Sequence, residues 1–111
     1  GGIHQLVYFG QMMAMKKPFL QKWQEEKTQK KEEWTICGSL CTANDILVKQ
    51  YPLSEVKIGD VLLFERTGAY SMSEGMALFL SRELPAVFAL KTEGELKNLR
   101  PRIAVDELIL T

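Results

Sequence analysis

The stretch WTICGSLCTANDIL, from Trp34 to Leu47, holds the features on which the fold of this 111-residue chain depends. Its first residues are apolar and β-branched, which is typical of a strand, and the strand pattern weakens at Gly38. Asn44 and Asp45 then favour a turn or a helix cap. The stretch therefore predicts a strand over Trp34–Leu40 that leads into a polar loop.

Further short strands are expected on either side of this stretch, at a spacing of roughly ten residues. The segment that ends in AVDELIL shows helical periodicity, with Val105, Leu108 and Ile109 on one face. This pattern predicts a mainly β fold, a small barrel or sandwich with one or two short helices. The further strands are expected at Ile3–Phe9, Pro18–Trp23, Val61–Glu65, Ala86–Leu90 and Glu95–Arg100.

The segments between these strands carry loop signals. Residues 22–33 include four Lys and four Glu, which is typical of a solvated hairpin or loop. Pro52 and the pair Gly59-Asp60 indicate turns, and TGAYSMSEG, residues 67–75, is small, polar and bracketed by glycines. We expect all of these segments to connect strands.

Composition narrows the class of protein. The length suits a single domain over residues 1–111, and the net charge of zero gives no reason to expect nucleic acid or a membrane as partner. No apolar run approaches the ~20 residues of a membrane-spanning helix. The chain begins Gly1-Gly2, without Met, which favours a piece excised from a longer protein over Met removal or tag cleavage.

The two cysteines raise four possibilities: a metal site, a disulfide, a nucleophile or buried packing. Two Cys and one His are too few for a usual zinc site, so no metal is expected. In an extended segment Cys37 and Cys41 would lie about 13 Å apart, so they could form a disulfide only if the intervening GSL folds back. We expect reduced cysteines and a cytoplasmic protein.

The sequence around each candidate residue indicates whether its side chain is functional or packs in the core. Cys41 precedes a polar run, which favours a loop, whereas Cys37 follows Ile36 in a strand and is predicted to pack. Tyr70 lies among small residues, where a phenol could donate to a phosphate or pack the loop. His4 is expected to be structural, because no carboxylate lies near it in the sequence.

Three segments together resemble the C-terminal barrel domain of the pyridoxal-phosphate-dependent decarboxylases related to diaminopimelate and ornithine decarboxylase. The family segment Gly-Pro-x-Cys-(Asp/Glu) corresponds to residues 38–42, which read GSLCT. The family segment Gly-Asp…Gly-Ala-Tyr corresponds to Gly59-Asp60 and to residues 68–70. ELKNLRPR follows in the same order, and GGIHQLVYF looks like the strand that leaves the family's (β/α)8 barrel.

The resemblance implies an amino-acid decarboxylase that uses pyridoxal 5′-phosphate bound to a lysine. That lysine belongs to an N-terminal (β/α)8 domain that is absent here, so the fragment alone is expected to be inactive. The family acts as a homodimer with active sites at the interface. Carried over, Cys41 would face the partner's cofactor and help to protonate the product carbon, and Tyr70 would contact the cofactor phosphate.

Two departures from the family segments concern the substrate. Ser39 replaces the family's proline, and Thr42 replaces the acid that meets the distal amine in diamine-producing members. Thr42 is expected at the substrate, with Asp45 compensating for the missing acid if the loop is helical. The alternatives are a self-standing β-barrel binding module and the barrel of an alanine-racemase-like enzyme.

Overall fold

The computed structural model describes residues 1–7, 16–27 and 29–110, and it is mainly β with two short helices. The chain divides into two compact units, Gly1–Gly75 and Met76–Thr111. The elements in chain order are β1 (Phe19–Lys22), β2 (Glu32–Cys37), β3 (Ile46–Leu53), β4 (Leu62–Glu65), α1 (Tyr70–Ser73), β5 (Val87–Leu90), β6 (Leu96–Arg100) and α2 (Val105–Ile109).

Among the described residues the strands pair into three antiparallel sheets of two strands each, β1 with β4, β2 with β3 and β5 with β6. The pairing of β1 with β4 joins segments that are distant in sequence, with Leu20 opposite Phe64. The β2–β3 pair is irregular, and its register shifts on both sides of Ile36. Within the described ranges these sheets are not closed into a barrel.

The core of the first unit lies where β1 meets β3. Val48 and Leu53 are 0% and 1% exposed, and Leu20 packs with them. The backbone N–H of Leu20 donates to the Tyr51 hydroxyl over 3.2 Å, which satisfies a polar group of the part-buried strand. Partly buried side chains surround this cluster: Trp34, Ile36, Tyr51, Val56, Leu62 and Phe64.

The second unit is built on the β5–β6 hairpin. Its turn is closed by hydrogen bonds between Lys91 and both Gly94 and Glu95, and Gly94 has a φ of +85°. A positive φ at this position is typical of a three-residue hairpin loop that ends in a glycine bulge. A bridge between Leu84 and Ile103 extends the hairpin, and Val105 is buried at the start of α2.

Six of the expected elements are confirmed: β1, β4, β5, β6 and α2 within one residue of their expected bounds, and β2 with a start two residues earlier and an end three residues earlier than expected. The helical face is confirmed only at Val105, because α2 has five residues and Leu108 and Ile109 are exposed. A single helical turn is too short to bury a stripe of side chains.

Three expectations about secondary structure are wrong. Ile3–Gln5 form a turn where a strand was expected, and residues 8 and 9 of that segment lie outside the described ranges. The loop at residues 67–75 contains α1. Strand β3 was missed because Pro52 suggested a turn. Pro52 is tolerated because, in the described part of the chain, β3 pairs on one side only.

The charged loop after β1 is mostly exposed, as expected, but Glu25 has a defined partner. Its Oε1 accepts the backbone N–H of Ser54 over 2.9 Å. This hydrogen bond is the main reason why the pKa of Glu25 lies below its ordinary value of 4.5; the charges of Lys31 and Lys22 act in the same direction and burial opposes them.

We expect Glu25→Gln to be less stable than the wild type at neutral pH, by about 1 kcal/mol at most because the carboxylate is only partly buried. Because the pKa of Glu25 is lower in the folded state, its ionised carboxylate stabilises the fold at pH values above the ordinary pKa. This stabilisation is lost as the pH falls through the lowered folded-state pKa. Urea denaturation at neutral and acid pH should therefore show the difference shrinking in acid. Glu26→Gln, at an exposed neighbour, is the control, and a difference that persists at low pH would contradict the prediction.

Candidate functional site

Cys41 lies at the surface of a short loop between β2 and β3, here called the Cys41 loop (Gly38–Asp45). The Gly38 N–H donates to the Asp45 carbonyl over 2.8 Å, which ties the two ends of the loop together. Inside the loop the Thr42 N–H donates to the Leu40 carbonyl over 2.9 Å. The thiol is therefore exposed on a loop whose backbone is held at both ends.

The turn expected from Asn44 and Asp45 is confirmed. The Asn44 N–H donates to the Thr42 hydroxyl over 3.3 Å, and the Ile46 N–H donates to the Asn44 carbonyl over 2.8 Å. The first of these bonds uses the side chain of Thr42, and such bonds to nearby backbone groups are one reason why short polar residues favour turns. Thr42 is half-buried, one position beyond the exposed Cys41.

Asp45 is buried beneath this loop, with only 3% of its surface exposed. One carboxylate oxygen accepts the Leu40 N–H and the other accepts the Ile3 N–H, each over 2.8 Å. Hydrogen bonds to a charged acceptor are about twice as strong as neutral ones, so they offset part of the cost of burying the carboxylate. The condition for substrate contact by Asp45, a helical loop, is not met, because residues 39–44 form bends and a turn.

Cys37 does not pack in the core of this chain, and the prediction that it does is wrong. It is the last residue of β2 and is exposed. Successive side chains of a strand point to opposite faces. Trp34 and Ile36 pack against the core cluster, so Thr35 and Cys37 lie on the opposite, exposed face.

Tyr70 is the first residue of α1 and is 72% exposed. Gly68, two residues before it, has a φ of +71° and open space around the position of a Cβ, so glycine is needed there for its backbone conformation. Ser71 is buried, and its hydroxyl donates to the Thr67 carbonyl. The helix is thus anchored by Ser71, which leaves the phenol of Tyr70 at the surface.

The N-terminal segment (Gly1–Val7) contacts both of these elements. The Gly1 carbonyl accepts the Ser39 N–H of the Cys41 loop over 2.9 Å, and the Val7 N–H donates to the Ser71 carbonyl of α1 over 2.8 Å. His4 is buried within this segment, in keeping with the structural role expected of it. One segment therefore links the loop that carries Cys41 to the helix that carries Tyr70.

Residues 1–7, 16–27 and 29–110 contain no group of three or more His, Cys, Asp or Glu side chains placed to hold a metal ion. Over the same ranges, no helix has both the length and the apolar character needed to cross a membrane.

Comparisons with known proteins place these residues in a family context. A family model described as the pyridoxal-dependent decarboxylase C-terminal sheet domain matches residues 1–68, a range that contains Cys41 and ends two residues before Tyr70. The diaminopimelate decarboxylase of Staphylococcus aureus (strain COL) is 38% identical over 77 residues, or 68% of this chain. A 2-[(L-alanin-3-ylcarbamoyl)methyl]-2-hydroxybutanedioate decarboxylase of S. aureus (strain NCTC 8325 / PS 47) is 31% identical over 71 residues, or 64% of this chain.

A solved structure of a diaminopimelate decarboxylase has the same fold. It superposes on 99% of this chain with a TM-score of 0.82 at 24% identity, and the match covers 28% of that protein. The chain spans 18% of the length of each of the two curated relatives. The matches therefore concern one domain of these larger proteins.

Sequence reasoning missed the roles of Asp45 and the N-terminal segment. The pair Asn44-Asp45 signalled a turn, but the partners of the carboxylate include Ile3, 42 residues away in sequence. The glycines at positions 2 and 38 are the one signal in the sequence that could have indicated this contact, because the Asp45 carboxylate lies close to the backbone of both.

Proposed function

Because the chain belongs to the C-terminal sheet domain family of the pyridoxal-dependent decarboxylases, we propose that it is the C-terminal domain of an amino-acid decarboxylase. An N-terminal (β/α)8 domain of the same protein would supply the cofactor lysine, and two copies would form a cytoplasmic homodimer. The observation that carries this proposal is the exposed Cys41 on its anchored loop, inside the range that the family model matches. A barrel or sandwich as the form of the domain in the whole protein is part of this proposal.

Cys41 is proposed as the proton donor of the reaction. Pyridoxal phosphate, when bound, withdraws electrons from the carbon that carbon dioxide leaves. The exposed loop suits a thiol that reaches into the active site of the partner subunit. There the Sγ–H proton would pass to the product carbon, and the thiolate would regain a proton from solvent before the next turnover.

Tyr70 is proposed to hold the cofactor phosphate. A phenol donates one hydrogen bond and suits a phosphate oxygen. The fit rests on two observations of this chain, the exposure of the phenol and the anchoring of α1 through Ser71. Tyr70 would serve the site of its own subunit, whereas Cys41 would serve that of the partner.

Thr42 is proposed to lie at the substrate and to leave a distal ammonium group without a carboxylate partner at this position. A threonine hydroxyl is a neutral acceptor, and the Asp45 carboxylate accepts backbone N–H groups. The relatives are named for different substrates, among them diaminopimelate and a hydroxybutanedioate derivative. Contact between Thr42 and the substrate would make this position a suitable place for substrate preference to differ.

We expect Thr42→Asp, in the full-length enzyme, to raise kcat/KM for lysine, ornithine or diaminopimelate by about 2- to 30-fold relative to uncharged amino acids. The estimate takes a charged acceptor to be worth about 0.5–2 kcal/mol more than a neutral one towards the ammonium group. Release of carbon dioxide from a panel of amino acids measures both the activity and the preference.

Ala43→Asp is the matched control, because it adds the same charge at the next, exposed position. An equal gain from Ala43→Asp would show that the effect of charge is not specific to position 42. Failure of the wild-type enzyme, supplied with pyridoxal phosphate, to release carbon dioxide from any amino acid would refute the proposed function itself.

A further inference from the structure

We propose that Asp45 is a positioning residue, which fixes the Cys41 loop on the N-terminal segment and so sets where Cys41 stands relative to the helix of Tyr70. The effect of this arrangement on turnover rests on the proposed function. The arrangement itself depends only on contacts within the first unit.

The first support is the way in which the two carboxylate oxygens are used. Oδ2 accepts the N–H of Leu40, directly before Cys41, and Oδ1 accepts the N–H of Ile3 in the N-terminal segment. A single buried side chain thus joins the loop to a segment 42 residues away. An asparagine could accept at its one oxygen only and would turn an NH₂ group towards the other N–H donor.

The second support is the space left for this carboxylate. A Cβ at Gly38 would lie closer than 3.0 Å to both carboxylate oxygens, and a Cβ at Gly2 would also lie closer than 3.0 Å to both. Neither glycine has a φ in the left-handed region. Their lack of a side chain is therefore explained by the carboxylate between them, and either alanine would displace it.

The third support is the far end of the N-terminal segment. A Cβ at Gly75, two residues after the end of α1, would lie 2.7 Å from the Ile3 carbonyl, and the Val7 N–H donates to the Ser71 carbonyl of α1. The contacts of Asp45 thus continue through the segment to α1. Because the N-terminal segment is hydrogen-bonded to the Cys41 loop at Gly1 and to α1 at Val7, a shift at Asp45 is expected to move the loop relative to the helix.

The first test is amide hydrogen exchange in the full-length protein with Asp45→Asn. The informative amides are those of Ser39 and Thr42, which donate to Gly1 and Leu40 and not to Asp45. We expect both to exchange at least about tenfold faster, with little change at Val48 in the core. Unchanged exchange at Ser39 and Thr42 would overturn the proposal, as would an equal rise at Val48.

Asp60→Asn is the matched control. The Asp60 carboxylate also accepts a backbone N–H, that of Lys57 over 2.8 Å, but it supports a different turn. The Asp60→Asn substitution should leave amide hydrogen exchange in the Cys41 loop unchanged. Gly38→Ala is the second variant: it should reproduce the effect of Asp45→Asn, and it should have little further effect when Asp45 is already alanine, since no carboxylate remains to be displaced.

The second test is a double-mutant cycle on turnover. Asp45→Asn is expected to lower kcat at least about tenfold in the wild-type background, and by less than about twofold in a Cys41→Ala background, because positioning matters only while the thiol is present. A merely structural role would lower kcat equally in both backgrounds and would overturn the proposal. If Cys41→Ala leaves kcat unchanged, the proposed function fails, and the exchange rates alone decide the role of Asp45.

Discussion

Replacing Cys41 by alanine in the full-length enzyme should lower kcat by about 10²–10⁴-fold, the range in which a positioned proton donor contributes. The thiol is exposed on a loop whose ends are joined by the Gly38–Asp45 hydrogen bond, so the loss of one sulfur atom should leave the fold intact. Steady-state rates of carbon dioxide release, together with the identity of the amine product, measure the effect.

Cys37→Ala is the matched control, since it removes the other exposed thiol of the chain. Cys37 lies on the outer face of β2 and outside the Cys41 loop. We expect its replacement to change kcat by less than about twofold. Comparable losses from the two substitutions, or an unchanged rate and product for Cys41→Ala, would contradict the assignment.

The Cys41→Ala variant also tests whether Cys41 acts in the active site of the partner subunit. Cys41→Ala would be mixed with a variant that lacks the cofactor lysine of the N-terminal domain, each inactive by itself. If Cys41 serves the partner's site, each mixed dimer has one site with both groups intact, and random mixing should recover about one quarter of the wild-type activity. No recovery in dimers shown to be mixed would place Cys41 in the site of its own subunit.

Leu53→Ala should lower the free energy of unfolding by about 2–5 kcal/mol, the usual cost of truncating a buried leucine. Leu53 is 1% exposed and packs with Val48 and Leu20 in the core that joins β1 to β3. A domain of this size is expected to have a total stability of about 5–15 kcal/mol, so the loss is a large share of it. Chemical denaturation gives the difference, provided that the slope with denaturant is unchanged.

Ile58→Ala supplies the comparison for Leu53. Ile58 is fully exposed in the turn before β4, and its truncation should change stability by less than about 0.5 kcal/mol. A loss at Ile58 as large as that at Leu53 would show that burial in this chain does not determine the cost.

Local patterns in the sequence were sufficient for most of the secondary structure. The strand at Trp34, the turn at Asn44-Asp45 and the helix at Val105 each follow from residue types within a few positions of one another. Such elements depend on propensities and short-range hydrogen bonds, which a short window contains. The exposed position of Cys41 follows in the same way from the polar run after it.

The exposure of Cys37 and the place of Pro52 in a strand depend on how the strands pack and pair, which local patterns do not contain. Cys37 and Ile36 are both apolar, and only the packing of Ile36 against the core turns Cys37 outwards. Pro52 signals a turn in isolation but is accommodated in β3, which pairs on one side within the described ranges.

Asp45 shows the limit of the sequence most directly. By itself the sequence determined a mainly β chain with a polar loop around Cys41 and a family resemblance carried by Cys41 and Tyr70. Only the tertiary structure turned the Asp45 carboxylate inwards, between Gly2 and Gly38 and onto the N–H of Ile3. The physical reason is that a buried carboxylate needs donors, and the donor that completes this site comes from a segment 42 residues away, which no local pattern specifies.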